Sequence, residues 1–576
     1  MSDFQKEYKN WLDNADGETK TELLQLNDNP AEIQDRFYRT LEFGTGGLRG
    51  VIGAGLNRIN KYIVGQATQG LANQLIKSGG GLRKHQCAAA IAYDSRNMSP
   101  EFAREAAVVL AANGVKAYLF ESLRPTPELS FAVRYLNCAA GIVITASHNP
   151  AKYNGYKVYG ADGSQITPEI ANIILAEINS TDIFSGVKRA GFETARNAGS
   201  IEIVGEAVDR AYIDSVKEQS VNPALALEKG KDYTLVYTPL HGSGNMPVRR
   251  VLDEIGFKKV IAVPEQEYPD GDFPTVKSPN PEDKEGFALA VKYAEKYDAD
   301  LIIGTDPDAD RVGIAVKNTD GEYTAMTGNQ VGVLLTEYIA SQGMIQKNLP
   351  ENGVIVKTIV TSDMVRGICR KYGLELVEVL TGFKFIGEKI MEFEQSGDKK
   401  FVFGFEESYG YLKGAYARDK DAVSASMLIA EMALYYHTQG FTLCRQMQNL
   451  YEEYGYYAED LMSAAMEGAE GLENIKKFME RMRAAPPKDI GTIKVLAVRD
   501  YNLSQRTDIV SGEHRQIFLP KSDVLYFELE GGNNFIVRPS GTEPKIKFYL
   551  MCRGGAKSEA ENNIEKIKGF VKNIEF

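Results

Sequence analysis

The sequence predicts three similar α/β domains in series, followed by a smaller α+β domain. Short apolar runs alternate with amphipathic stretches long enough for helices, which is typical of βαβ units. This alternation recurs along most of the chain and stops near Pro486-Pro487. Beyond that point short strand-like runs follow one another without helices between them, which indicates an antiparallel sheet.

The elements can be placed in order along the chain. Runs typical of strands lie at residues 88–93, 116–120, 140–144, 234–237, 259–263, 301–303, 353–356 and 374–379. Residues 100–110 have a helical pattern with Ser99 as the expected N-cap. In the last domain we expect a helix over residues 472–483, strands at 492–498, 524–529, 534–537 and 545–550, and a final helix over 558–572.

Composition excludes several classes of function. The 576 residues are too many for one hydrophobic core. A net charge of −12 argues against a surface that binds nucleic acid or an anionic membrane. We see no signal peptide and no apolar run near the ~20 residues of a membrane span. The five cysteines are scattered and lack a Cys-x-x-Cys pair, so we expect reduced thiols and a cytoplasmic protein.

Three aspartates alternate directly after the strand at 301–303: Asp306, Asp308 and Asp310, followed by Arg311. Carboxylates this close repel one another unless a cation joins them, and hard oxygen ligands suit Mg²⁺. Arg311 is then well placed to bind a phosphate group. A calcium EF-hand loop needs Gly and Glu where this chain has Arg311 and Lys317, so that interpretation is excluded. A solvated acidic turn is an equally good interpretation of the aspartates alone.

Three other segments carry candidate chemistry. Ser147, in Thr-Ala-Ser-His-Asn-Pro, follows the strand at 140–144, where ligands gather in open α/β sheets. It lacks the Gly-x-Ser-x-Gly elbow of hydrolases, and a turn before Pro150 explains it as well. Residues 404–411 place two glutamates and a serine between glycines, which suits sugar hydroxyls, a glycosidase acid or an acidic turn. Residues 538–544 join Arg, Ser, Gly and Thr in a phosphate cradle or a simple turn.

In this order the four segments resemble the phosphoglucomutase/phosphomannomutase superfamily, the α-D-phosphohexomutases. The residues at 44–50 and 404–410 are most similar to its phosphoglucomutase-2/phosphopentomutase branch. The resemblance implies three α/β domains with mixed, mostly parallel sheets and a smaller C-terminal α+β domain, around a central cleft. We place these domains at residues 1–205, 206–324, 325–452 and 453–576.

The resemblance also implies site residues. Ser147 would carry the transferable phosphate, and Ser147, Asp306, Asp308 and Asp310 would ligate Mg²⁺. Arg49, His148, Lys157 and Arg311 would lie near the reacting phosphate, with His148 and Lys157 both open as the general base. The substrate would be held by Gly382, Phe383, Lys384, Glu406, Ser408, Arg538, Ser540, Gly541 and Thr542, although Phe383 stands where some members have His or Trp.

The implied activity is a Mg²⁺-dependent mutase that interconverts glucose 1-phosphate and glucose 6-phosphate. It would work through a phosphoserine and a bound sugar bisphosphate, with a sugar 1,6-bisphosphate as priming activator. Mutases for ribose 1-phosphate, deoxyribose 1-phosphate or mannose phosphates are the nearest alternatives. A phosphatase and a non-catalytic sugar-phosphate-binding protein are the more distant alternatives. We expect a small phosphosugar substrate, no nucleic-acid or membrane partner, and a monomer or homodimer.

Overall fold

The computed structural model describes residues 3–44, 47–79, 86–466, 468–540 and 545–576. The chain divides into two compact units. The first comprises Met1–Met326, Ile386–Gly397 and Tyr409–Thr438, and the second comprises Thr327–Phe385, Asp398–Ser408 and Gln439–Phe576. The third predicted domain, residues 325–452, therefore contributes to both units.

The described residues up to Met326 form alternating helices and strands. The helices are α1 (Asp3–Asn14), α2 (Gly17–Leu24), α3 (Pro30–Phe37), α4 (Lys61–Lys77), α5 (Ser99–Ala112), α6 (Thr126–Tyr135), α7 (Pro168–Asn179), α8 (Phe192–Asn197), α9 (Glu206–Lys217), α10 (Pro223–Lys229), α11 (Asn245–Ile255), α12 (Pro264–Glu267) and α13 (Ala288–Tyr297). The strands are β1 (Gly47–Val51), β2 (Gln86–Tyr93), β3 (Lys116–Phe120), β4 (Cys138–Ile144), β5 (Tyr153–Gly160), β6 (Ile201–Val204), β7 (Thr234–Thr238), β8 (Lys259–Ala262), β9 (Leu301–Thr305), β10 (Val312–Lys317) and β11 (Tyr323–Met326).

The rest of the chain begins with α/β structure and ends in a run of strands. Its helices are α14 (Gly328–Ile345), α15 (Met364–Tyr372), α16 (Phe383–Ser396), α17 (Ala422–Thr438), α18 (Leu443–Tyr454), α19 (Gly468–Ala484) and α20 (Lys557–Lys572). Its strands are β12 (Gly353–Thr358), β13 (Glu375–Val379), β14 (Lys400–Glu406), β15 (Gly410–Lys413), β16 (Tyr456–Ala465), β17 (Asp489–Ile490), β18 (Ile493–Asp500), β19 (Gln505–Asp508), β20 (His514–Gln516), β21 (Leu525–Leu529), β22 (Asn533–Pro539) and β23 (Lys545–Gly554).

The first unit contains two mixed sheets. One has the order β1-β5-β4-β2-β3-β6, in which β4, β2, β3 and β6 are parallel and β5 and β1 are added antiparallel. The other has the order β11-β10-β9-β7-β8, with β9, β7 and β8 parallel. Strands β4 and β9 are wholly buried, which explains their continuous apolar sequences. The carboxyl ends of both strands lead into the predicted serine and aspartate loops.

The second unit contains a parallel β13-β12-β14 arrangement and an antiparallel sheet. The antiparallel sheet has the order β16-β23-β22-β21-β18-β19-β20, with β17 paired to β18. Phe478 of α19 packs against Phe548 of β23, and both belong to a core that helix α20 also covers. The predicted fold class, three α/β domains and a β-rich C-terminal domain, is therefore confirmed.

The predicted cap of helix α5 is wrong. The helix already includes Ser99, and Met98 occupies the cap position without a side-chain hydrogen bond. The Ser99 hydroxyl instead donates to Asp94 Oδ1 at 2.8 Å. A hydrogen bond to a charged carboxylate is stronger than one between neutral groups. The Ser99 hydroxyl therefore turns inward to Asp94 instead of accepting a backbone N–H at the start of the helix. Within the described ranges, no helix has both the length and the apolar character to cross a bilayer.

Candidate functional site

Ser147 lies at the carboxyl end of β4 and is 3% exposed. Its hydroxyl donates to Asp306 Oδ2 at 2.8 Å, and its Oγ is 3.1 Å from His148 Nδ1. The backbone of Ser147 has φ 52°, in the left-handed region that residues with a Cβ rarely adopt. The serine is thus held in an unusual conformation with its side chain directed at the predicted metal loop.

The three aspartates follow β9 and converge. Asp306, Asp308 and Asp310 each offer a carboxylate oxygen, and these oxygens lie within 4.8 Å of one another. Asp306 Oδ1 accepts the backbone N–H groups of Asp310 and Arg311, at 3.1 and 3.0 Å, which closes the loop on itself. The backbone and side chain of Thr126, the first residue of α6, both donate to Asp308, at 2.9 and 3.0 Å.

These residues fit a divalent cation. Asp308 Oδ1 and Asp310 Oδ1 are buried and accept no hydrogen bond from any residue the structure describes. Burial and the neighbouring carboxylates raise the pKa of Asp306, whereas Lys157 lowers the pKa of Asp308 despite its burial. A cation among hard oxygens would satisfy both unused atoms and relieve the repulsion between the acids. The cluster is therefore compatible with a metal site.

Two lysines neutralise part of this acidic cluster. Lys157 Nζ is 2.9 Å from Asp308 Oδ2 and 3.5 Å from Asp310 Oδ2. Lys420 Nζ is 2.8 Å from Asp310 Oδ2. Lys420 was not among the site residues predicted from the sequence. Its only signal was the alternating charge of Arg418 to Asp421 directly before an apolar helix. Burial alone would lower the pKa of Lys157, but Asp308 and Asp310 outweigh burial and raise it.

The predicted cations near the phosphate lie in the same unit. Arg311 Nη1 pairs with Glu282 Oε1 at 2.5 Å. Arg49 Nη1 is 3.4 Å from Asn149 Oδ1. Strands β1 and β5 pair Gly47 with Lys157, so the alternation of side chains puts Arg49 and Lys157 on one face of the sheet. The pKa of His148 is well below its usual value because of burial, with smaller effects from Arg311 and Arg49.

The predicted sugar loop lies in the second unit. Glu406 ends β14, and its Oε1 accepts the backbone N–H of Gly382 at 2.9 Å, which joins two predicted substrate-binding segments. Ser408 follows two residues later and is half-buried. Phe383 is only 4% exposed, which leaves little of its ring to contact a ligand. The neighbouring Lys384 lies with its Nζ 5.3 Å from the centre of the Phe385 ring.

The predicted phosphate loop joins β22 to β23. Arg538 lies near the end of β22 and pairs with Lys547 of β23 in the antiparallel register. The backbone N–H of Ser540 donates to the carbonyl of Lys545 at 2.7 Å. Gly541 and Thr542 lie outside the described residues, so their predicted role stays a prediction.

The fold and the first unit's site define an α/β protein that holds a buried serine hydroxyl against a carboxylate cluster suited to a divalent cation. The chain belongs to the phosphoglucomutase/phosphomannomutase family. Three models of that family, alpha/beta/alpha domains I, II and III, match residues 40–183, 210–321 and 327–454. The family resemblance inferred from the sequence is thereby confirmed.

Proteins named as phosphoglucomutases are similar to this chain over nearly its whole length. A phosphoglucomutase of Staphylococcus epidermidis is 36% identical over 545 residues, covering 94% of this chain and 96% of its own length. A phosphoglucomutase of Staphylococcus aureus is 37% identical over 529 residues, covering 91% and 92%.

Solved structures support the fold. The crystal structure of a protein from Thermus thermophilus, described as a phosphomannomutase, has a TM-score of 0.67 at 22% identity and covers 92% of this chain and 99% of its own. The open form of the Paramecium phosphoprotein pp63/parafusin has a TM-score of 0.66 at 17% identity, covering 92% and 95%.

Proposed function

We propose that this chain is a Mg²⁺-dependent mutase that interconverts α-glucose 1-phosphate and glucose 6-phosphate through a phosphorylated Ser147. The observation that carries the proposal is the contact between Ser147 Oγ and Asp306, beside two buried carboxylate oxygens that accept no hydrogen bond within the described part of the chain. The phosphoglucomutase relatives, at 36–37% identity over most of the chain, support the choice of substrate.

In this proposal the phosphoryl group moves between two oxygens. The P–O bond to Ser147 Oγ breaks as a hydroxyl oxygen of the sugar monophosphate bonds to phosphorus, and the hydroxyl proton passes to a base on the protein. The reverse transfer of the other phosphate returns Ser147 to its phosphorylated form, so a sugar 1,6-bisphosphate also serves to prime the enzyme. Phosphoryl transfer depends mainly on positioning and charge stabilisation, which suits a serine without a hydrolase elbow.

The residues divide into roles on that basis. Asp306, Asp308 and Asp310 would hold Mg²⁺, which when bound would neutralise charge on the phosphoryl oxygens. Arg311 and Arg49 would bind the same group as cations. Lys157, Lys420 and His148 carry titratable nitrogens close to Ser147 or its aspartates, and we propose that the base is one of them.

The second-unit loops would hold the sugar monophosphate. Glu406 and Ser408 would bind sugar hydroxyls, and Gly382 and Lys384 would line the same loop. The loop from Arg538 to Thr542 would bind the phosphate that is not transferred. We also propose that the chain is organised in four domains, at residues 1–205, 206–324, 325–452 and 453–576.

The test is turnover of α-glucose 1-phosphate, mannose 1-phosphate and ribose 1-phosphate side by side, each with Mg²⁺ and its matching bisphosphate. We expect clear preference for glucose 1-phosphate and loss of turnover in Ser147→Ala, with an unchanged rate in the exposed control Ser180→Ala. Substrate binding should largely persist in Ser147→Ala. Preference for ribose or mannose 1-phosphate would replace the proposed substrate, and normal turnover in Ser147→Ala would refute the phosphoserine.

A further inference from the structure

Two buried charged residues contact the backbone of Ser147, directly or through Thr145, and neither has a role in the proposed function. Asp94 and Arg96 follow strand β2 and are each 1% exposed. Asp94 Oδ2 lies 3.3 Å from Arg96 Nε, and Asp94 Oδ1 accepts the backbone N–H of Arg96 at 2.9 Å. Buried charges are rare unless they are paired and hydrogen-bonded, so the other bonds of this pair indicate what it does.

The Arg96 guanidinium lies 5.0 Å from the centre of the Phe273 ring, and its Nη atoms donate to the carbonyls of one loop. Nη2 donates to the carbonyl of Ser147 at 2.5 Å and also to that of Asn149. Nη1 donates to the carbonyls of Pro150 and Tyr153, both at 3.0 Å. These four carbonyls lie between the end of β4 and the start of β5, in the segment that contains Ser147. Arg96 thus satisfies backbone carbonyls of this loop that would be satisfied by backbone N–H groups in a helix or a strand.

Asp94 fixes the other side of the serine through one intermediate. The Thr145 hydroxyl donates to Asp94 Oδ2 at 2.6 Å, and Thr145 Oγ1 accepts the backbone N–H of Ser147 at 2.8 Å. The donor role of Thr145 is therefore used by Asp94, which leaves its oxygen to accept from Ser147. Both backbone polar groups of Ser147 are held by the same ion pair, one directly and one through Thr145.

This arrangement accounts for the backbone of the serine. A residue with a Cβ at φ 52° persists only where its surroundings determine the conformation. We propose that Asp94 and Arg96 are positioning residues that hold Ser147 in the left-handed conformation, so that its hydroxyl faces Asp306. The inference rests on the proposed function, in which Ser147 accepts and returns the phosphoryl group.

The test is Arg96→Lys, which keeps the positive charge and removes the planar fork. We expect a kcat about 100-fold lower, because a misplacement of about 1 Å at a reacting group has that effect. KM should stay within about threefold, since no contact to the sugar is changed. The increase in melting temperature that Mg²⁺ gives should be retained, and the exposed control Arg196→Lys should behave as the unmodified protein.

A kcat close to that of the unmodified protein would overturn the inference, as would loss of the Mg²⁺ effect, which would indicate general collapse of the site. A crystal structure of Arg96→Lys gives a readout that does not depend on activity. We expect Ser147 to leave the left-handed region, and retention of its φ near 52° would refute the positioning role.

If Arg96→Lys does not fold, Thr145→Val provides the second variant, because it removes the Asp94 to Ser147 connection at nearly constant volume. It should also lower kcat and leave KM unchanged, and an unchanged kcat would count against the inference. If the unmodified protein turns over no sugar phosphate, the proposed function fails. The crystallographic result still decides whether Arg96 sets the conformation of Ser147.

Discussion

Replacing Asp308 by Asn separates the proposed metal-binding role of the aspartate cluster from its contribution to stability. The substitution removes one of three carboxylates whose oxygens lie within 4.8 Å of one another. At a pH where all three carboxylates are ionised, and at an effective dielectric constant of about 20, each repulsion at that distance amounts to about 3.5 kcal/mol, so the two lost repulsions total about 7 kcal/mol.

The same substitution removes an attraction of similar size. Lys157 Nζ lies 2.9 Å from Asp308 Oδ2, which corresponds to about 6 kcal/mol at the same dielectric constant. Lys157 keeps its second contact, at 3.5 Å, with Asp310. The two effects nearly cancel, so without metal Asp308→Asn should be as stable as the unmodified protein to within about 1–2 kcal/mol.

With metal the two proteins should differ clearly. A ligand at 100 times its dissociation constant stabilises the folded protein by about 2.7 kcal/mol. The first unit has about 370 residues. At an unfolding entropy of about 2.1 cal/mol/K per residue, this stabilisation raises its melting temperature by roughly 3–4 °C. We expect a rise of that order when Mg²⁺ is added to the unmodified protein, and a much smaller one in Asp308→Asn.

The assay is thermal unfolding in EDTA and across a Mg²⁺ titration, with the exposed Asp320→Asn as the matched control. An equal Mg²⁺ effect in Asp308→Asn would refute the metal assignment. Severe destabilisation of Asp308→Asn in EDTA would refute the charge argument, because it would show that the ion pair with Lys157 outweighs the repulsion among the carboxylates.

Two further predictions concern the second unit. Burial raises the pKa of Glu459 from 4.5 to about 7, so its ionisation opposes folding as the pH rises through that window. Glu459→Gln should therefore gain about 3 kcal/mol of relative stability at pH 8 and much less near pH 4.5, and an equal difference in melting temperature at both pH values would contradict this. A Cβ on Gly332 of α14 would lie 2.1 Å from the Phe405 ring, next to Glu406. Gly332→Ala should cost roughly 1–3 kcal/mol and raise KM for the sugar without preventing phosphorylation of Ser147, as measured by steady-state kinetics and intact mass; an unchanged melting temperature and KM would refute the packing argument.

The parts of the site that could be predicted from the sequence are those that one segment carries alone. Asp306, Asp308 and Asp310 alternate in a single loop, and the apolar run before them marks the end of a strand. Ser147 stands in the same position relative to β4. In open α/β sheets ligands collect at the carboxyl ends of strands, so both loops could be named before their distance was known. The contact between Ser147 and Asp306 was not visible, because 159 residues separate them.

The missed residues act across long sequence separations. Arg96 binds carbonyls more than 50 positions away, and Lys420 reaches Asp310 from a segment with no motif of its own. Ser99 shows the same difficulty on a local scale, since its pattern indicated a cap while a buried carboxylate five residues earlier took the hydroxyl. Local spacing says which side chains are available, whereas tertiary packing decides which acceptor each one meets.

The site contains positive side chains that the net charge of the chain does not indicate. The net charge of −12 indicates an acidic surface, yet Lys157, Lys420 and Arg311 gather around the buried aspartates. Buried carboxylates need cations or hydrogen-bond donors beside them, so an acidic motif after a buried strand already implies partners elsewhere in the chain. Their number can be anticipated from the charge to be balanced, but their identity depends on the fold. This is why the sequence alone pointed to a metal and a phosphate, and the structure was needed to find Lys420 and Arg96.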